Sequence, residues 1–316
     1  MQGVALIYNP ASGQYSARRN EAVQSALEVF RAAGIAAEAY VCSTPEGATS
    51  QAREAIRNGC DTVIASGGDG TVHAVLQSLV GTDVALGVIP LGTANALAAN
   101  LGLIGPPAKV AQRLLDAVPA RIPVGRIHFN DHAGNPDSRY FLVAAGIGAD
   151  ALLMSRLDAG LKRRFGYALY LVEAARIWAT NSFPLFNATF IVKGSDVPLV
   201  EEISQLLAVR VRSFGGALNK LAPGATLHSQ SLHLMAFRTR DRMRYMRFLL
   251  AVLLGRHTFS NEIDLLETVS VECRARNGSP APIFVEADGE VLGTLPVRME
   301  VVLQALTLLI PADAKP

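Results

Sequence analysis

Four short apolar runs, each leading into a turn and then a helical stretch, constrain the first third of the chain more than any other feature. VALIY (4–8) ends at the turn NPASG (9–13), and IAAEAYVC (35–42) leads to TPEGA. TVIAS (62–66) ends at GGDG, and VALGVIP (84–90) at LGTAN. Between them, residues 16–33, EGATSQAREAIRN (46–58), GTVHAVLQSLV (70–80) and TANALAANL (93–101) carry apolar residues at helical spacing. Strands alternating with helices over short connections predict a parallel, doubly wound α/β sheet. No GxGxxG follows the first strand and no GxxxxGK[ST] occurs, so neither a standard dinucleotide fold nor a P-loop is supported.

After IGPPAK (104–109) the texture changes. From Ile122 onward come RIPVGRIHF, YFLVAAGIG, NATFIVKG, LLAVRVRSF, SLHLMAFR, TVSVECRA, IFVEADGEVLG and VRMEVVLQAL, interrupted by helical stretches at 150–178 and 241–255. Dense strands with few helices predict a second, β-sandwich-like domain of two packed sheets. The expected division is an α/β nucleotide domain over 1–121 with a returning strand in 304–316, and a β-rich domain over 122–303. At 316 residues both can hold a core. A formal charge of only +2 gives no reason to expect nucleic acid. Cys42, Cys60 and Cys273 form no metal spacing and fit a reducing cytosol. No secretory signal is visible at the N-terminus, and Phe248–Leu254 is too short to cross a bilayer. The expectation is a cytoplasmic protein, soluble or peripheral to the inner face of the membrane.

The chemistry is concentrated in the turns. In SGGDGTVH (66–73), glycines at a strand-to-helix junction let backbone N–H groups approach an anion. Asp69 in the middle should repel one. It reads either as an N-cap for a helix beginning near Thr71 or as a carboxylate facing Mg²⁺ between itself and phosphate. A third reading has it orienting a hydroxyl nucleophile. Gly92, Thr93 and Asn95 form a second such junction; Asn9, Ser12 and Gly13 form a third. Turns after neighbouring parallel strands face one crevice, so the three together read as a phosphate cradle.

NPASG, TPEGA (44–48), SGGDGTVHAVLQSL and PLGTANALA resemble the diacylglycerol kinase catalytic-domain family, which includes bacterial soluble lipid kinases, sphingosine kinases and ceramide kinases. FLVAAGIGADALL (141–153), KRRFGYALYLVEAAR (162–176) and VEADGEVLG (285–293) continue the resemblance in the same order. It implies an ATP-dependent, Mg²⁺-assisted lipid kinase with its active site between the two domains. ATP would be held by Gly67, Gly68, Asp69, Gly70, Thr71, Val72 and His73, with Asn9, Thr44, Gly92, Thr93 and Asn95. Asp69 would meet the metal through Mg·ATP. Glu290 matches the general base of the bacterial branch, a role given to the Asp69 position in sphingosine kinases. Without the resemblance, Asp288–Gly289–Glu290 reads as a hairpin turn. Asp150 matches the region that meets the lipid head, and alone reads as a helix cap.

The chain departs from the family at Ala74, where Glu is usual, and at Ala96, where Asp is usual. Bacterial members also hold a structural magnesium on a P-A-DG segment. Here APGATLHSQSLHLM (222–235) has Ser229 and Gln230 in place of that Asp-Gly, which speaks against the second metal. RTRDRMRYMRFLLAVLLGRH (238–257) fits docking on an anionic bilayer, and equally a core helix with a solvated arginine end. The acceptor would be a lipid at the membrane surface, with peripheral membrane contact. Which lipid it is and the oligomeric state stay open. The competing readings are an NAD kinase-like enzyme and a non-catalytic lipid-binding relative.

Overall fold

A computed structural model describes residues 1–10, 18–131, 133–156, 167–192, 197–212, 224–253, 263–276, 278 and 282–314. The chain divides into two compact units, residues 1–124 with 303–316, and residues 125–302.

In the first unit, β1 (Gly3–Tyr8), α1 (Arg19–Ala32), β2 (Ala36–Val41), α2 (Pro45–Arg57), β3 (Thr62–Gly67), α3 (Asp69–Leu79), β4 (Ala85–Pro90), α4 (Ala96–Asn100) and α5 (Pro107–Leu115) follow in order. The strands are parallel in the order β2-β1-β3-β4, and Thr307 and Leu308 of the chain's last strand add beside Ala85 and Leu86. Every residue of β3 is buried, as a strand covered on both faces requires. The cover is α1 packed with α5 and α2 packed with α3. Leu6, Ile7, Leu27, Phe30, Ile64, Leu76, Leu79 and Leu86 fill the core. The order reverses between β1 and β3, and that switch point places the turns after both strands at one edge.

The helix expected from Thr93 begins only at Ala96, because Asn95 takes a left-handed conformation (φ 52°). Ser12 and Gly13 of the first turn lie outside the described residues.

The chain enters the second unit through β5 (Val118–Asn130), then β6 (Pro136–Phe141), β7 (Ala144–Ile147), α6 (Ala149–Arg156), α7 (Tyr167–Thr180), β8 (Phe186–Val192), β9 (Leu199–Ile203), β10 (Gln205–Val209), β11 (Leu232–Phe237), α8 (Arg242–Leu253), β12 (Ile263–Ala275), β13 (Phe284–Ala287) and β14 (Glu290–Ile310). Antiparallel pairing runs β14-β13-β7-β10-β11-β12, and β12 pairs β14 again at Ser270–Cys273, so the path closes. The closure depends on β12 changing partners. Ile263–Thr268 lies on β11, the later residues lie on β8, and the register breaks between Thr268 and Ser270. A bulge at a sheet corner bends a strand in this way. Phe141, Ile147, Phe186, Phe190, Val285 and Met299 are among the side chains packed inside.

One expectation for this unit is corrected and one strand is added. YFLVAAGIG is two strands, β6 and β7, rather than one. LVEEI (199–203), which carries no strong strand pattern in the sequence, is strand β9. The helical stretch 150–178 appears as α6 and α7, with 157–166 outside the described residues, including KRRFG. The side chains of Phe248, Leu249, Leu250 and Leu253, with residue Leu254, also lie outside them.

Candidate active site

In the first unit the turn after β3 and the turn after β4 touch through backbone. A Cβ on Gly92 would lie 2.4 Å from Gly68 Cα and 3.1 Å from Gly68 N, and one on Gly67 would lie 2.4 Å from Thr71 Oγ1. Leu91 N–H donates to Gly67 O at 2.8 Å, joining the turns at their base. Asn95 closes the second turn on itself, accepting from Gly92 N–H at 3.0 Å and donating to Gly92 O at 2.9 Å.

Asp69 is a cap, but for a different helix than its own. Gly68 caps α3, while Asp69 Oδ1 accepts from Ala96 N–H at 2.8 Å, at the first residue of α4. The carboxylate therefore sits where two helix N-termini offset its charge. Gly68, Asp69, Gly70 and Thr71 are half-buried, and Thr93 is exposed beside them. Val72 and His73 are buried in α3, so their side chains face the core rather than the turn. Thr44 is exposed and caps α2, accepting from Gly47 N–H at 3.1 Å. Asn9, at the end of β1, donates to Ser43 O at 3.3 Å.

Arg19 ties this edge together, and nothing in the sequence singles it out. It is 3% exposed, and its guanidinium donates to Asn9 O at 2.9 Å and to Leu91 O at 2.6 Å. The ends of β1 and β4 are thus held by one cation under the turns. No local pattern marks it; it reads as an ordinary polar residue at a helix start. Gly92→Ala should lower stability by about 1–3 kcal/mol, since the new methyl meets backbone that no rotamer change can clear. Thermal melting checks this, and an unchanged melting temperature would show that the two turns can part without cost.

In the second unit, Asp288 and Gly289 form the two-residue turn between β13 and β14, both with positive φ (50° and 86°). That is the hairpin geometry Asp-Gly favours. Asp288 does more than turn the chain. Its carboxylate accepts from Leu142, Val143 and Ala144 N–H at 3.0, 2.8 and 3.1 Å. Those amides are spent on a side chain instead of a neighbouring strand, which is why YFLVAAGIG divides. Glu290 follows, exposed, at the first residue of β14.

Behind the turn lies a carboxyl pair. Glu286 is buried, and its Oε2 accepts from Gly289 N–H at 2.7 Å. Its other oxygen and Asp150 Oδ2 crowd Gly146, where a Cβ would meet them at 2.8 and 2.5 Å. Burial, then the charge of Asp150, pushes the Glu286 carboxyl well above its ordinary range, so Glu286 carries the proton and donates it to Asp150. Asp150 is thus already engaged within its own unit.

A carboxyl whose pKa is raised in the folded state makes folding bind a proton. Stability is full below the ordinary carboxylate range and falls as pH rises through the folded value; each tenfold difference in proton affinity between the folded and unfolded chain is worth about 1.4 kcal/mol. Glu286→Gln keeps an acceptor for Gly289 and cannot titrate. The fall in melting temperature between mildly acidic and alkaline pH should shrink in this variant. An identical slope would place the titration elsewhere.

Comparison with known proteins follows this division. The family described as "Diacylglycerol kinase catalytic domain" matches residues 3–127, and the "YegS C-terminal NAD kinase beta sandwich-like domain" matches residues 142–310. A diacylglycerol kinase of Bacillus subtilis is 27% identical over 299 residues, covering 94% of this chain and 92% of that protein. A Chromohalobacter salexigens protein named "Probable lipid kinase YegS-like" is 31% identical over 245 residues, covering 76% of this chain and 72% of that one. The crystal structure of a diacylglycerol kinase from Bacillus anthracis str. Sterne shares the fold, with a TM-score of 0.69 at 17% identity over 99% of this chain and 98% of that one. The fold and the matched domains define the class as a mixed α/β kinase fold with a sandwich-like second unit. The chain belongs to the diacylglycerol kinase and YegS-like lipid kinase family.

Proposed function

We propose that the chain transfers the γ-phosphoryl group of ATP to a hydroxyl of a membrane lipid such as diacylglycerol or a sphingoid base. The observation that carries this is the contact of Gly68 with Gly92 at the carboxyl edge of a parallel sheet. It joins two backbone turns bordered by the N-termini of α3 and α4, where backbone N–H groups and helix dipoles suit a polyphosphate.

Gly67, Gly68 and Gly92 keep the two turns in contact, since a Cβ at Gly67 or Gly92 would overlap Thr71 or Gly68 and one at Gly68 would crowd Gly92. The backbone of these turns would hold the nucleotide phosphates. Asp69 is the carboxylate at this edge that would face a nucleotide-bound Mg²⁺. That ion, when bound, neutralises charge developing on the phosphates. Glu290 takes the hydroxyl proton as the alcohol oxygen bonds to the γ-phosphorus and the bond to the β-phosphate oxygen breaks, releasing ADP. Asp150, hydrogen-bonded to Glu286, would stand near the lipid head.

Among the described residues no helix is long and apolar enough to cross a membrane. Arg238, Arg240, Arg242, Arg244 and Arg247 are all exposed around the start of α8, with Met243 61% exposed among them. That basic, partly apolar surface supports a peripheral encounter with an anionic bilayer.

The test is one reaction holding γ-labelled ATP, Mg²⁺, mixed lipid vesicles and NAD. Label should move into the organic phase. Label recovered in phosphorylated NAD would favour the NAD kinase reading, to which the sandwich-like domain is related by description. No transfer to either would favour a non-catalytic relative.

A further inference from the structure

The loop that carries a structural magnesium in bacterial relatives lacks its Asp-Gly here, yet the loop is not left without a cation. Arg210, at the end of β10, is fully buried, and its Nη2 donates to both Leu227 O and Ser229 O at 3.3 Å. Its own N–H donates to Val143 O at 2.9 Å, between the amides that Asp288 holds. Burial lowers the pKa of the guanidinium to about 10, and the charge of Asp288 works in the opposite direction. The Arg210 backbone and the Asp288 carboxylate thus meet on the same residue, Val143.

The residues present do not fit a divalent ion. Magnesium requires several hard oxygen ligands, usually one or two of them carboxylates. Ser229 and Gln230 offer no carboxylate, and the Ser229 hydroxyl is shared with Ser231 and, at 3.1 Å, with His233 Nε2. Two carbonyls of the loop, Leu227 O and Ser229 O, already receive Arg210. Among the described residues no cluster of three or more His, Cys, Asp or Glu could hold a metal ion. His233 agrees with a fixed positive charge nearby: burial lowers its pKa, Glu267 raises it, and Arg210 lowers it again.

We propose that Arg210 is a built-in cation that does in this chain what a bound divalent ion does elsewhere, tying the 224–231 loop to the Asp288–Gly289–Glu290 turn. It is a positioning residue: fully buried, it cannot meet substrate. The arrangement follows from its chemistry. A planar guanidinium presents several donors in fixed directions, so one group can serve two carbonyls and face a carboxylate. Unlike a metal, it cannot be removed by a chelator.

The experiment is thermal melting of the full chain without nucleotide, in EDTA and in MgCl₂, for the wild type, Arg210→Met and Arg210→Lys. The wild type should melt at the same temperature in both buffers. Arg210→Met, similar in length but uncharged, should lose about 6 °C or more, or fail to fold. Arg210→Lys should recover part of that loss, which a purely space-filling role would not produce. The proposal is overturned if EDTA lowers the wild-type melting temperature by several degrees. It is equally overturned if Arg210→Met melts with the wild type, or if Arg210→Lys melts no higher than Arg210→Met. Should neither variant fold, the wild-type comparison alone decides.

Discussion

Asp288→Ala is expected to be the most destabilising single substitution in the turn that carries Glu290, lowering the melting temperature of the second unit by about 10 °C or more. Three losses coincide. The amides of Leu142, Val143 and Ala144 lose their acceptor in a buried stretch, at about 1–3 kcal/mol for each group left unsatisfied. Arg210, fully buried, loses the charge of Asp288 that favours its ionised form, which adds to the cost. Alanine must also hold the left-handed φ of 50°, which Asp and Asn tolerate better. These costs overlap and do not simply add. Asp288→Asn keeps one acceptor oxygen and the tolerance for positive φ, so it should lose roughly half as much. Differential scanning calorimetry checks both, and an Asp288→Ala protein melting with the wild type would show that the triple acceptance carries no stability.

What the sequence made legible was set by contacts within a few residues. The alternation of strands and helices in the first unit, the glycine turns after β3 and β4 and the Asp-Gly hairpin all depend on local spacing and local φ, and each is found in the structure. What it hid depends on distance along the chain. Asp288 captures the Val143 amide 145 residues away and so splits one apolar run into two strands. Asp69 does cap a helix, as its place in the turn suggests, but the helix is the one 27 residues on. Arg19 and Arg210 look like ordinary surface arginines in the sequence, because nothing local to a buried cation reveals which carbonyls it serves. Glu286 reads as the polar residue of an alternating strand, and only the fold brings Asp150 to it. In the candidate site, then, the turns are readable and the charged groups that brace them are not.

Transfer to a lipid hydroxyl, as proposed, relies on alignment and charge neutralisation at the γ-phosphate and on a base presented by the Asp288–Gly289–Glu290 turn. A lipid hydroxyl is a weak nucleophile, and a positioned carboxylate base typically contributes about 10²–10⁴-fold. Glu290 is exposed at the head of β14, so replacing it leaves the core and the triple acceptance by Asp288 untouched. Glu290→Gln keeps the size and hydrogen-bonding reach of the side chain but cannot take the proton. Its melting temperature should match the wild type, which separates a chemical effect from the folding effect expected at Asp288. Affinity for Mg·ATP should barely move, because the glycine turns belong to the other unit. The decisive measurement is therefore kcat of Glu290→Gln with γ-labelled ATP and lipid vesicles. A fall of about 10²–10⁴-fold at unchanged melting temperature is the expected result. An unchanged kcat would contradict it, returning the role of base to Asp69 and leaving Glu290 as a hairpin residue.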